Sequence, residues 1–320
     1  MLGRRRARKL LSVTVCLMIL NYNGRRHLQD CLPSALAASG KVKTRCPVVV
    51  VDNQSVEDDV EFIRSEFPAV EVVVAKKNDT LFSLNKVVSA RSEDIVVILN
   101  NDMRFDEDFI EPLLGHFTKP DVFAVSAKMF NWEGTESTMG RKIGALRNFW
   151  FYKYSQHSVE KACLTLDAGG GCSAFRRSMF AELRGFDSLF RPAYWEDTDL
   201  SYRAWKRGWQ IVYEPRSIIY HKIGATLDAL YGRSKMTRLI ARNGVLFTVK
   251  NCGGIYFILS YLFLLPLRAI TNYCKGNTSL TLGIIDALPK IPLALKRRFE
   301  EFRFCRVKDD DFLARIMADQ

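Results

Sequence analysis

Residues 95–102 read IVVILNND, five apolar and mostly β-branched positions followed at once by two asparagines and an aspartate. A run that short and that apolar predicts a strand buried on both faces, and polar residues where it stops lie at the edge where parallel sheets bind ligands. The pattern recurs along the chain. Residues 47–51 (PVVVV) end in Asp52-Asn53-Gln54-Ser55, residues 10–20 run into Asn21-Tyr22-Asn23-Gly24, and residues 70–75 form a further β-branched run. A helix is expected over about residues 26–38, between the first two runs. Strands separated by helical stretches predict an α/β fold, with a mostly parallel sheet between layers of helices.

The chain of 320 residues is 48% hydrophobic and 26% charged, enough to bury a full core, and this excludes a disordered protein. Its eight cysteines are scattered without a C-x-x-C pair, which predicts reduced thiols and no structural zinc. The net charge of +12 is confined to the two ends: residues 1–10 carry +5, residues 227–320 carry +7, and the stretch between is neutral. A nucleic-acid enzyme carries its positive charge along the working cleft, so a nucleic-acid partner is not expected. Basic ends suit docking on an anionic membrane surface, or a merely solvated face.

Residues 4–9 (RRRARK) before an apolar run resemble a signal peptide superficially. Ser12, Thr14 and Cys16 interrupt that run and no small-residue cleavage site follows, which predicts a buried first strand and a cytosolic chain. Residues 131–166, rich in Trp, Phe, Tyr, Gly and Lys/Arg, show no sustained period and read as a substrate-facing insertion or a packed irregular connection. Gly169-Gly170-Gly171 suits a close backbone approach to a ligand, or a tight turn. From residue 228 to about 251 the pattern is helical. Residues 251–267 (NCGGIYFILSYLFLLPL) carry no charge. At about 1.5 Å per residue they reach roughly 26 Å, short of a hydrocarbon core of roughly 30 Å, so an in-plane or re-entrant membrane contact is favoured over a spanning helix. Residues 284–304 read as a second amphipathic segment with Lys290, Lys296, Arg297, Arg298 and Arg303 on its basic face, and Asp309-Asp310-Asp311 has no assigned role.

The stretch PAYWEDTDLSYRAWKRGWQIVYEPRSIIYHKIGAT, residues 192–226, gathers Glu196, Asp197 and Asp199 between an aromatic pair and a helix expected over residues 200–207, then runs through a strand to His221. A carboxylate on the turn before a helix can be a general base, and a histidine can complete a metal site. Equally, Asp197 or Thr198 can simply cap the helix, which Gly208 would end. Arg203 and Arg207 can reach phosphates or pair with nearby acids.

The ordered set ILNYNG, VVVVDNQS, NDTLFSLN, ILNND, GGGCSAFRR, GFD, WEDTDLSYRAWKRGW and YHKIGAT resembles the family 2 glycosyltransferases, within them the bacterial rhamnosyltransferase-like branch. The resemblance covers roughly residues 12–251. It implies the GT-A fold, a Rossmann-like nucleotide-diphospho-sugar transferase domain, to which the apolar and basic residues described above add a C-terminal helical membrane-associating extension. The corresponding division is a basic tail over residues 1–11, a catalytic domain over 12–226 and the extension over 227–320. It further implies inverting transfer of a sugar from a nucleotide-sugar, a UDP- or dTDP-sugar, to a hydroxyl of a glycan or lipid-linked acceptor at the cytosolic membrane face.

Carried over residue by residue, Tyr22 and Asn23 would lie beside the base, and Asp52 would bond the base or ribose. Asn78, Asn85, Asn100 and Asn101 would complete the donor side. Asn100-Asn101-Asp102 matches the D-x-D position, where Mn²⁺ or Mg²⁺ joins a carboxylate to the donor diphosphate; Asn100 replaces the first Asp, leaving Asp102 as ligand with His221 as the second. Asp197 matches the catalytic base, with Glu196 orienting the acceptor. Trp195, Asp199, Gly170 and Gly171 would border the acceptor. The loop after the third strand departs from the common N-x-G-F: Asn78-Asp79-Thr80-Leu81 lacks the glycine, which bears on donor geometry. That loss and Asn100 motivate an alternative, a catalytically weak scaffold in a membrane polysaccharide assembly. A sugar-phosphate nucleotidyltransferase would need a glycine-rich basic loop after the first strand, for which Asn21-Tyr22-Asn23-Gly24 is a poor substitute.

Overall fold

The computed structural model describes residues 13–222 and 232–319. The expected strands are β1 (Val15–Asn21), β2 (Val48–Asp52), β3 (Glu71–Val74) and β4 (Ile95–Asn100), and they pair in parallel in the order β3-β2-β1-β4. Residues 15–19 and 95–98 are fully buried, as strands covered on both faces require. Helix α1 (Arg25–Lys41) covers one face through Leu28, Cys31, Leu32, Ala35 and Ala38, a helical-period stripe. Helices α2 (Asp59–Glu66), α3 (Leu84–Ala90) and α4 (Ile110–Gly115) follow strands in the same alternation.

Beyond β4 the sheet continues through one reversed strand, after which the direction of the first four is resumed. Strand β11 (Cys172–Arg176) lies antiparallel between β4 and β6 (Val122–Asn131), and β12 (Gln210–His221) runs parallel to β6. The sheet is therefore mixed, with β10 (Cys163–Leu164), β5 (Met103–Phe105) and β7 (Ser137–Met139) as short antiparallel additions. This topology assembles the site. Because β11 opposes β4, Gly171 at its start faces Asn100, whose N–H donates to Gly171 O at 3.3 Å. Because β12 pairs β5 antiparallel, His221 is set beside Met103, and Lys222 N–H donates to Asp102 O at 3.0 Å.

Residues 131–166, read as irregular, hold a separate two-stranded hairpin, β8 (Arg141–Arg147) and β9 (Trp150–Gln156). After α5 (Arg177–Glu182) comes α6, which spans Glu196–Lys206 rather than starting at residue 200. Neither Asp197 nor Thr198 is its cap: the residue before the helix is Trp195, in the left-handed region at φ 74°. The acids thus lie inside the first helical turn, where the helix dipole favours negative charge.

The C-terminal part is a set of helices packed on this body: α7 (Arg233–Asn251), α8 (Ile255–Cys274), α9 (Thr278–Ala287), α10 (Ile291–Phe302) and α11 (Asp309–Ala318). Within the uncharged run the helix begins only after Gly253 and Gly254, and it continues through Pro266 and past Arg268 to Cys274. The second amphipathic segment passes through a short 3-10 helix at Leu288–Lys290. Two stretches, Ile255–Cys274 and Thr278–Phe302, are long and apolar enough to cross a membrane by length and composition. Part of the expected basic face is used internally: Arg298 donates to the carbonyls of Val249, Cys252 and Gly253, closing the end of α7. The acidic triplet opens α11, and its Asp309 pairs with Lys206 of α6 at 3.0 Å. All eight cysteines are free. The YHKIGAT motif lies within the described residues only as far as Lys222, and the basic head lies outside them.

Candidate active site

A cavity of about 1010 Å³ opens at the C-terminal ends of β1, β2 and β4 and is closed on the far side by α6, the β8–β9 hairpin and α7. Of the residues singled out from the sequence, Tyr22, Asn78, Asn100, Asn101, Asp102, Gly170, Gly171, Trp195, Glu196, Asp197 and His221 line it. Asn23, Asp52, Asn85 and Asp199 do not.

Each of the four has a different employment. Asp52 Oδ1 accepts from Ser55 Oγ at 2.6 Å and Asn21 Nδ2 at 3.1 Å, and its Oδ2 accepts from Ser55 N–H at 3.0 Å; its neighbour Asn53 is the one that reaches the cavity. Asn23, at φ 48°, ties its loop to the next by accepting from Val56 N–H at 2.9 Å. Asn85 clamps α3 to the Gly185-Phe186-Asp187 loop, donating to Phe186 O at 2.9 Å and accepting from Phe186 N–H at 2.8 Å. Asp199 is fully buried, held by Arg203 Nε at 2.8 Å, Lys250 Nζ at 2.6 Å and Asn251 Nδ2 at 2.8 Å. Arg203 is bound to that network and Arg207 to Glu301 at 2.8 Å, so neither reaches the cavity as a phosphate ligand.

At the D-x-D position Asn101 turns inward, donating to Asn21 Oδ1 at 2.7 Å. Asp102 Oδ1 is buried without a hydrogen-bond donor, and His221 Nε2 stands 3.3 Å from it. An orphaned carboxylate oxygen beside an imidazole, both lining the cavity, fits a divalent cation that takes its remaining ligands from phosphate and water. Among the described residues no group of three or more His, Cys, Asp or Glu is placed to hold a metal ion, so those residues offer this pair.

At the start of α6, Glu196 is buried, and its Oε2 has no hydrogen-bond partner. Burial, and then the charge of adjacent Asp197, push its carboxyl up to about 8, so it is largely protonated at neutral pH. Asp197 is less buried, and its Oδ1 accepts from Thr198 N–H at 2.7 Å. Beneath them sits a cationic group that the sequence reading did not find. Lys142 and Lys153, from the hairpin, hold Asp167 at 2.9 and 3.1 Å, and Lys153 also donates to Thr198 Oγ1 at 2.8 Å. Burial would lower the Lys142 ammonium, but Asp167 and Asp197 outweigh it and hold the lysine protonated. The available signal was lysine recurring in an aromatic stretch, which says nothing of position until the hairpin forms.

The turn before α6 is strained and braced. Tyr194 and Trp195 both adopt positive φ, 71° and 74°, which is costly for bulky side chains. Asn243 of α7 donates to the carbonyls of Phe190, Ala193 and Tyr194 at 2.7–2.9 Å, and Trp195 Nε1 donates to Ile240 O at 3.1 Å. Gly244 leaves room for the indole: a Cβ there would lie 3.3 Å from Trp195 Cζ2. The Trp195 ring packs on Phe247, centroids 4.9 Å apart, so it anchors the turn as well as bordering the cavity.

The glycines serve close packing. A Cβ on Gly170 would come within 2.5 Å of Leu81, and one on Gly171 within 2.5 Å of the Asn100 side chain. In the departing loop, Thr80 stands where the family pattern has glycine and adopts φ 51° itself. Its Oγ1 donates to Pro192 O at 2.5 Å, and its carbonyl accepts from Asn53 at 2.9 Å, so the left-handed geometry is kept by bonds instead of by glycine.

The mixed sheet between helices is the fold of GT-A glycosyltransferases. The sequence model described as "Glycosyltransferase like family 2" matches residues 13–238, and the chain belongs to that family. Among curated proteins it is similar to the N-acetylglucosaminyl-diphospho-decaprenol L-rhamnosyltransferase of Mycobacterium tuberculosis, 24% identical over 253 residues, covering 70% of this chain and 80% of the relative. Among solved structures it resembles GalNAc-T7 with UDP, GalNAc and Mn²⁺, with TM-score 0.61 and 16% identity over 94% of this chain; it spans 56% of that one. It also resembles the mannosyltransferase PcManGT of Pyrobaculum calidifontis with GDP-Man and Mn²⁺, with TM-score 0.52 and 14% identity over 90% of this chain and 93% of the other.

Proposed function

We propose that this glycosyltransferase moves a sugar, with inversion, from a UDP- or dTDP-sugar to a hydroxyl of a lipid-linked acceptor at the cytosolic membrane face. The observation that carries the reading is the convergence on one cavity of Asp197, Glu196 and the orphaned Asp102 with His221. Asp197 takes the proton of the acceptor hydroxyl as that oxygen attacks the anomeric carbon; the new C–O bond forms as the bond to the nucleotide diphosphate breaks on the opposite face. Glu196, protonated, holds the acceptor by hydrogen bonding and does not compete for charge with its neighbour. Asp102 and His221 would hold Mn²⁺ or Mg²⁺, which when bound offsets the charge of the departing diphosphate. Tyr22 and Asn53 border the base and ribose, and Lys142 and Lys153 keep the acceptor side electropositive.

A rhamnosyl donor and a lipid-linked acceptor are supported by the mycobacterial relative's name. We assign residues 12–226 to catalysis and 227–320 to membrane association, except that α7 within the latter also walls the catalytic cavity through Met236 and Ile240. Tyr256, Leu259, Phe263, Leu267 and Ile270 of α8 are exposed, while Ile258, Tyr261 and Leu265 pack on the body and Arg268 donates to Asn148 and Phe149 carbonyls. A helix held along one side favours lying in the interface over spanning it. Flotation with liposomes tests this: recovery in the soluble fraction with and without anionic lipid would remove the membrane role.

The decisive experiment is a thermal-shift screen of nucleotide sugars with Mn²⁺, repeated on Asp102→Ala. Selective stabilisation by one donor, lost in the variant, is expected. A folded wild type that binds and turns over none would favour the scaffold reading, to which Asn100 in the first D-x-D position points.

A further inference from the structure

A second cavity, of about 780 Å³, lies between α7 and α9. Arg233, Lys235, Arg238 and Arg242 line it, with Asp286 as the one carboxylate among the described lining residues. Helix α7 is the wall between this cleft and the catalytic cavity: Met236 and Ile240 face the latter, while Arg238 and Arg242, each two residues further on, face the former. Residues two apart on a helix point to different sides, so one helix serves both spaces. The two are also joined at their rim. Pro192 lines both, and Arg242 donates to the carbonyl of Arg191, which borders the catalytic cavity. Arg238 is oriented by two bonds to Asp286, at 2.5 and 2.6 Å, and remains 43% exposed. From the cleft, Leu282, Ile285 and Leu288 continue as an exposed apolar stripe with helical spacing.

We propose that this cleft binds the diphosphate of a prenyl-diphosphate-linked acceptor, with the first prenyl units lying along Leu282, Ile285 and Leu288; this rests on the lipid-linked acceptor reading. Guanidinium and ammonium groups in a partly enclosed cleft suit a multiply charged phosphate ester, and an apolar track leading away suits the chain attached to it. The attached sugar is then directed over Pro192 toward Asp197.

The test uses the full chain and farnesyl diphosphate, farnesol and inorganic pyrophosphate as probes, titrated in EDTA so that no metal–diphosphate site forms on the donor side. Farnesyl diphosphate is expected to bind at least about tenfold more tightly than farnesol. Lys235→Gln with Arg238→Gln should weaken farnesyl diphosphate and pyrophosphate by roughly ten- to a hundredfold and leave farnesol unchanged. Lys235→Gln alone, which leaves both partners of the Arg238–Asp286 pair unsubstituted, should give a smaller loss in the same direction. Equal farnesyl diphosphate affinity in wild type and both variants overturns the proposal. So does a loss confined to vesicles of phosphatidylcholine with phosphatidylglycerol, which would assign the cleft to phospholipid head groups. Nucleotide-sugar stabilisation with Mn²⁺ should be the same in wild type and variants. If it is absent throughout while the farnesyl diphosphate difference persists, the catalytic reading falls and the prenyl-diphosphate site stands.

Discussion

Asp197 and Asp199 are two residues apart on α6 and live in opposite environments. Asp199 points into the body, where Arg203, Lys250 and Asn251 satisfy it; Lys250 also binds Asp187 at 2.7 Å, so the ion network joins α6 to α7 and to the loop before it. Asp197 points the other way, into the cavity, beside a Glu196 whose Oε2 nothing satisfies. Paired charge fixes the helix, and the Glu196 and Asp197 carboxyls of its first turn face the cavity without an ion-pair partner among the described residues. Strain follows the same division, since Tyr194 and Trp195 are held at positive φ by Asn243 of the helix that the buried network secures.

The largest effect should come from the open side. Asp197→Asn is expected to cut transfer by about 10²–10⁴-fold with little change in melting temperature; retained activity would remove Asp197 as base. On the closed side, Lys250→Met should cost about 3–5 kcal/mol, because it strands buried carboxylates, and urea unfolding would measure it. Per folded molecule its activity should survive, and a selective loss of kcat would break the separation. Asn243→Ala joins the two sides: the loss of three carbonyl partners should cost about 1–3 kcal/mol. If the clamp shapes the catalytic turn, kcat should fall more than KM rises.

The smallest effect concerns Glu196 and depends on pH. Its folded value, raised from 4.5 to about 8, means the folded protein keeps a proton that the unfolded chain releases between those values. The stability associated with that proton is intact below about 4 and lost as pH climbs through 8. Glu196→Gln should therefore melt like wild type near pH 4 and above it near pH 9, by about 2–4 °C for each kcal/mol relieved. A difference independent of pH would show that the side chain is not titrating.

The parallel half of the sheet was legible because buried strands leave an unmistakable record: runs of Val and Ile that stop at Asn and Asp. The same record put Tyr22, Asn100 and Asp102 at the ligand edge. Asp52 carried an identical signature and proved to be a brace, since an Asp after a strand suits an internal turn as well as a ligand; Asn85, which only the resemblance placed on the donor side, sits in α3 and is a brace too. Lys142, Lys153 and Asn243 were invisible because their roles arise from residues far away in sequence.

The chain by itself determined the family, the alternation of strands and helices, and the acids and histidine available for chemistry, because these follow from local pattern and motif order. Only the tertiary structure decided which acids face the cavity. Starting α6 at Glu196 turned Asp197 and Asp199 to opposite sides, and an antiparallel β5–β12 pairing brought His221 within 3.3 Å of Asp102. Helix phase and strand register are set by long-range packing, which no short stretch of sequence encodes.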